Sequence, residues 1–87
     1  MVSIPDLISR GLLKPGDILI YKRRSSGQKY TAVVQSNGTL ATEDGVIHKS
    51  PSGAAKHFSG RPIDGWLTWK LGNSRVSLAA LRDKYKG

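Results

Sequence analysis

Side chains able to do covalent chemistry are scarce in this sequence. His48 and His57 stand nine residues apart with no carboxylate at the positions between them, and there is no cysteine. A thiol nucleophile, a thiolate zinc site and a disulfide framework are therefore excluded. A serine–histidine site would lack an orienting acid nearby in the chain, and the only adjacent acids, Glu43 and Asp44, precede Gly45 in what reads as a turn. Two histidines alone make a poor metal set. The expectation is a protein that is not an enzyme and needs no cofactor or metal, its histidines lying on the surface or joining phosphate contacts.

Residues suited to binding an anion are plentiful by contrast. Ser50-Pro51-Ser52-Gly53 has the form of a capped helix start, whose first backbone N–H groups point outward. Pro51 has no N–H, so Ser52, Gly53 and Ala54 would supply the donors, and Lys49, Lys56 and His57 flank them. The pattern reads as a phosphate clamp, or more plainly as a helix cap that satisfies itself. Lys22, Arg23, Arg24 and Lys29 bracket the loop containing Ser25-Ser26-Gly27, which suits a hairpin tip that enters a groove or follows a backbone. Arg61 adds a further cation. With Trp66 to Leu71 read as a strand, Trp66, Thr68 and Lys70 share one face, where Trp66 could stack on an exposed base and Lys70 reach a phosphate. Leu67, Trp69 and Leu71 then share the other face and look like core.

The distribution of charge supports a basic surface. The 87 residues carry 14 Lys and Arg against 6 Asp and Glu, a net charge of +8. Asp6, Asp17, Glu43, Asp44 and Asp64 all sit where a cap or turn would use them, which leaves Asp83 for an ordinary helix surface. The stretches 18–42, 46–63 and 65–82 contain no acid. Such a surplus favours a polyanionic partner, nucleic acid before membrane because no basic amphipathic helix is evident. No stretch reaches the ~18 apolar residues of a membrane span, and MVSIPDLISRG lacks the regions of a secretory leader. A cytoplasmic, nucleoid or otherwise DNA-associated location is the expectation.

One small domain over residues 1–87 must position these groups, because a chain of this length buries only about 60% of the surface that its unfolded form exposes. Ser3-Ile4-Pro5-Asp6 opens a helix with a capping-box pattern, ended by Gly11. Strands are expected at Ile18–Lys22 and Tyr30–Gln35. The turns Asn37-Gly38 and Asp44-Gly45 then lead into strands at Thr39–Thr42 and Val46–Lys49. A second helix starts at Ser50 and closes at Gly60, a fifth strand covers Trp66–Leu71, and Ser77 caps a last helix in which Leu78, Leu81 and Tyr85 recur at helical spacing. The result is an α+β fold, a small antiparallel sheet of about five strands with three short helices in the order α-β-β-β-β-α-β-α. Helices should cover one face of the sheet, and the other should end in basic residues.

These turns and caps, in this order, resemble the restriction enzyme adenine methylase associated (RAMA) domain. The likeness runs over nearly the whole chain. It rests on Asp6-Leu7-Ile8, Gly11-Leu12-Leu13-Lys14-Pro15-Gly16, Asn37-Gly38, and Asp44-Gly45 leading to Ser50-Pro51-Ser52-Gly53-Ala54-Ala55. Gly65-Trp66-Leu67-Thr68-Trp69 follows, then Leu78 and Leu81-Arg82. The family usually has Asn where this chain has Asp64, and an aromatic residue where it has His48-Lys49. The resemblance implies a DNA-binding accessory module found with restriction and methylation enzymes and with other chromatin or nuclease domains. It also implies partners of two kinds, double-stranded DNA and a methylase, nuclease or other domain. One branch of the family is associated with recognition of N6-methyladenine, so sensing of that methylation is among the implied functions. Two readings stand beside DNA binding: a protein-interaction adaptor that tethers such a partner through an apolar sheet face, and an RNA-binding domain.

Overall fold

Local polar contacts start the first helix. In the computed structural model, which describes residues 2–86, the Asp6 carboxylate accepts hydrogen bonds from the Ser3 N–H at 2.9 Å and the Ser3 hydroxyl at 3.0 Å. Helix α1 (Ile4–Ser9) follows and buries Ile4 and Leu7. The Asp17 carboxylate accepts from the Lys14 N–H at 2.9 Å, closing the turn that delivers the chain into the sheet.

Strands β1 (Ile18–Lys22), β2 (Lys29–Val34), β3 (Leu40–Thr42) and β4 (Ile47–His48) form the expected antiparallel meander. Strand β5 (Lys70–Leu71) pairs with the free side of β1, giving the order β4-β3-β2-β1-β5. The chain reaches that edge through helices α2 (Pro51–Ser59) and α3 (Gly65–Thr68), and helix α4 (Leu78–Lys86) closes the fold. Period-2 alternation divides the sheet's two faces. Leu19, Ala32, Val34 and Leu40 are buried beneath the helices with Leu7, Leu13, Ala54, Ala55, Trp69 and Leu78. The opposite face carries Ile18, Ile20 and Lys22 of β1 beside Val33, Thr31 and Lys29 of β2, and it leaves Ile18 and Val33 exposed.

The α+β class and the expected element order hold, with one correction. Residues 66–68 are not strand. The Asp64 carboxylate captures the Trp66 N–H at 3.0 Å, its carbonyl accepts the Thr68 hydroxyl at 2.8 Å, and Trp69 N–H reaches the Gly65 carbonyl at 3.0 Å. This is N-cap chemistry, and it winds a single turn before the chain extends into β5. Trp66 and Trp69 are one helical turn apart, so the two-face division of residues 66–71 does not apply. Leu67, expected in the core, is 60% exposed, whereas Trp69 is fully buried as expected.

The Gly-Trp-Leu-Thr-Trp and Ser-Pro-Ser-Gly-Ala-Ala segments turn out to be two halves of one joint. The Ser52 hydroxyl accepts the Gly65 N–H at 3.1 Å, and the buried Trp69 indole donates to the Pro51 carbonyl at 3.0 Å. Gly65 lies so close to the Pro51–Ser52 backbone that a Cβ there would fall inside 3.0 Å of three backbone atoms. A similar approach occurs at Gly38, whose φ of +86° and contact with the Pro5 ring bind the β2–β3 turn to α1.

Candidate nucleic-acid interface

The acids are spent inside the fold. Asp6, Asp17, Glu43, Asp44 and Asp64 each accept a hydrogen bond from a backbone N–H or a side chain of a cap, turn or neighbouring strand. Among the described residues the one ion pair joins His57 to Asp44, and it leaves every Lys and Arg without a carboxylate partner. Arg10 and Arg82 instead lie over the rings of Tyr85 and Trp66, at 4.9 and 5.1 Å from the centroids. The remaining cations are free to face a polyanion.

The β1–β2 hairpin end gathers many of them. Lys22 and Lys29 are cross-strand partners at the end of the open sheet face, and Lys70 enters that face from β5 opposite Ile20. Together with Arg75 they ring a concavity of about 370 Å³ floored by Ile20, Leu71 and Gly72. Arg75 has a left-handed backbone, φ +61°, with its N–H on the Leu71 carbonyl at 2.8 Å. It was not among the residues singled out from the sequence, where its only signal is its place in the acid-free stretch after Gly65. A second concavity, of about 350 Å³, shares Lys22 and is lined by Arg23, Arg24 and Arg61, with Ser59 and Thr68. Among the described residues no acid lines either one.

The start of α2 is built differently from a phosphate clamp. The Ser50 hydroxyl accepts the Gly53 N–H at 3.0 Å and the Ser50 carbonyl accepts the Ala54 N–H at 3.1 Å, so two of the three expected donors are consumed by the cap itself. The Ser52 hydroxyl, though not its N–H, is engaged by the Gly65 N–H. Lys49 and Lys56 remain exposed, but Lys49 follows β4, at the sheet edge opposite β5. His57 Nε2 lies 2.5 Å from Asp44 Oδ2, which ties α2 to the β3–β4 turn. The acid missing from the chain near His57 is thus supplied across the fold, from 13 residues away.

That contact and the Thr42 hydroxyl hold the Asp44 carboxyl down at about 2. His48, 4.8 Å from His57 between ring centroids, is pushed below the ordinary histidine value by burial and then by the neighbouring His57, against the pull of Asp44. Thr42 is buried, and its hydroxyl is shared between Asp44 and the Val46 carbonyl.

Trp66 is half-buried against the core beneath Arg82, and Tyr30 stacks on Phe58 with centroids 4.1 Å apart. These aromatic rings do not converge on either basic concavity. No helix among the described residues is long and apolar enough to cross a membrane, and no cluster of three or more His, Cys, Asp or Glu among them could hold a metal ion.

Among curated proteins none matches this chain. The family model described as Restriction Enzyme Adenine Methylase Associated matches residues 1–86. With the paired Ser-Pro-Ser and Gly-Trp motifs locked against each other at the centre of the fold, the chain belongs to the RAMA family.

Proposed function

We propose that this RAMA domain is a non-catalytic DNA-binding module that grips the phosphate backbone through the hairpin end of its sheet. The carrying observation is the pair of adjoining concavities that share Lys22, one ringed by Lys29, Lys70 and Arg75 and the other by Arg23, Arg24 and Arg61, with no acid lining either. Unpaired cations around a concave, acid-free surface concentrate a polyanion and position it. Lys49 and Lys56 add to the attraction from elsewhere on the surface. Family membership supports an accessory role beside a methylase or nuclease domain, working in the cytoplasm or on the nucleoid, and sensing of adenine N6-methylation is the finer reading that the same resemblance carries.

Fluorescence anisotropy with a labelled duplex at ~50 and ~200 mM salt tests the mechanism. Neutralising about five phosphates gives log affinity a slope near −4 to −5 against log salt. Reversing Arg23 and Arg24 to Glu should weaken binding far more than reversing Lys56. An affinity indifferent to salt, or a Lys56→Glu effect equal to the double reversal, would remove this reading. Duplexes that differ only in N6-methylation of adenine test the finer one, and equal affinities across several sequence contexts would sink it. Competition with a matched RNA duplex separates DNA from RNA.

A second reading has one observation in its favour. Ile18, Val33, Ala41 and Ile47 are successive cross-strand neighbours on the open face, an apolar row suited to a protein partner. Scattered cations would have favoured it; here they are grouped beside that row instead.

A further inference from the structure

The basic concavity does not end at its cations. A neighbouring hollow of about 420 Å³ shares Ile20, Leu71 and Gly72 with it, so the two form one trough along β1 against the Gly72–Arg75 turn. The far half is lined by Gly16, Asp17, Ile18 and Asn73 and holds no cation. The Asp17 carboxylate, whose Oδ2 accepts the Lys14 N–H, stands there beside the 53%-exposed Ile18 and the Asn73 amide. Gly72 keeps the floor open, since a Cβ at that position would already stand 3.3 Å from Ile20 Cδ1.

The trough is therefore cationic at one end, and at the other apolar with hydrogen-bonding groups, the Asn73 amide and the Asp17 carboxylate, along its edge. Each half is of a size that holds a small organic group. A nucleotide has the matching polarity: an anionic phosphate joined to a flat, uncharged base with donors and acceptors on its rim. A base stacked and paired within a duplex cannot enter such a trough. We propose that the trough seats one unpaired nucleotide of a DNA strand, phosphate among Lys22, Lys29, Lys70 and Arg75, base over Ile18 and Ile20 with its edge toward Asn73. The proposal rests on the DNA-binding reading and narrows it to DNA that offers an unpaired base.

The test compares a fully paired duplex with the same duplex carrying a single-nucleotide bulge, by anisotropy at one salt concentration. Covering Ile18 and Ile20 should favour the bulged duplex by about fivefold or more. Gly72→Phe, which fills the trough without changing charge, and Ile18→Ser, at an exposed position, should each bring the two DNAs to the same affinity, with folding checked by thermal melts. Equal binding of both DNAs by the parent protein overturns the nucleotide trough and leaves backbone binding standing. A bulge preference that survives in both variants overturns it as well. Failure to bind either DNA removes the DNA-binding reading and the trough with it.

Discussion

Substituting Gly65 with alanine isolates the joint between the two family motifs. The added Cβ would lie inside 3.0 Å of the Pro51 carbonyl carbon and oxygen and the Ser52 nitrogen, all backbone atoms that cannot rotate away. Helices α2 and α3 must then separate. Overpacking of that kind destabilises by about 1–3 kcal/mol. Separation also stretches the buried bond from the Trp69 indole to the Pro51 carbonyl, and leaving such a pair unsatisfied costs about 1–3 kcal/mol more. A combined loss of about 2–6 kcal/mol is a large share of the ~5–13 kcal/mol that a domain of this size has in total. At roughly 4–8 °C per kcal/mol, Tm should fall by at least about 8 °C. Thermal unfolding followed by tryptophan fluorescence reads this directly, since Trp69 sits at the joint. Gly53→Ala is the control: it lies in α2 next to the Pro51–Ser52 backbone, exposed, with only the Ser50 hydroxyl at 3.1 Å. Alanine there should leave stability unchanged or raise it by up to about 1 kcal/mol. A Gly65→Ala Tm within about 2 °C of the parent's would refute the steric argument.

Gly38→Ala should cost about 2–4 kcal/mol, because the left-handed backbone and the Pro5 ring both oppose a side chain there; urea melts would show it as a lower midpoint with the slope retained. Arg75→Gly should relieve the strain of a left-handed arginine, leaving Tm equal or higher, while weakening DNA binding and reducing the salt slope by about one; a Tm drop together with intact binding would reverse the assignment of its role. Burial holds His48 below its unfolded value of 6.5, so the stability it contributes is complete above that pH and is lost as the pH falls from there toward the folded value. Tm measured from about pH 7 to 5 should therefore decline less in His48→Gln than in the parent. Asp44, held at about 2 against an ordinary 3.8, contributes stability that is present above 3.8 and lost as pH falls through about 2. Asp44→Asn should flatten that acid limb, and an unchanged limb would show that the His57–Asp44 contact does not matter to folding.

The helix caps, the turns and the positions of β1 and β2 were legible in the sequence because each is decided within a few residues. Asp6 on Ser3, Asp17 on Lys14, Ser50 on Gly53 and Ser77 on Ala80 are all contacts between positions three apart. From those came the fate of the acids, and hence a surplus of cations without carboxylate partners. The residues 66–71 were not legible, since their apolar pattern fits a strand or a turn of helix equally well, and Asp64 decides between them. Nor could the site be drawn from spacing. Lys22, Lys29, Lys70 and Arg75 meet only because β5 returns to the free edge of β1, and Gly65 meets Pro51 only because α2 and α3 pack together.

The sequence by itself determined a basic α+β domain of RAMA type, whose acids are consumed by caps and turns. Folding in three dimensions reveals that the helix start at Ser50 is locked against Gly65 and Trp69 and that the concave basic surface lies at the hairpin end. The reason is physical: a cap is a contact between near neighbours in the chain, whereas a surface is a sum over residues that only the sheet order brings together.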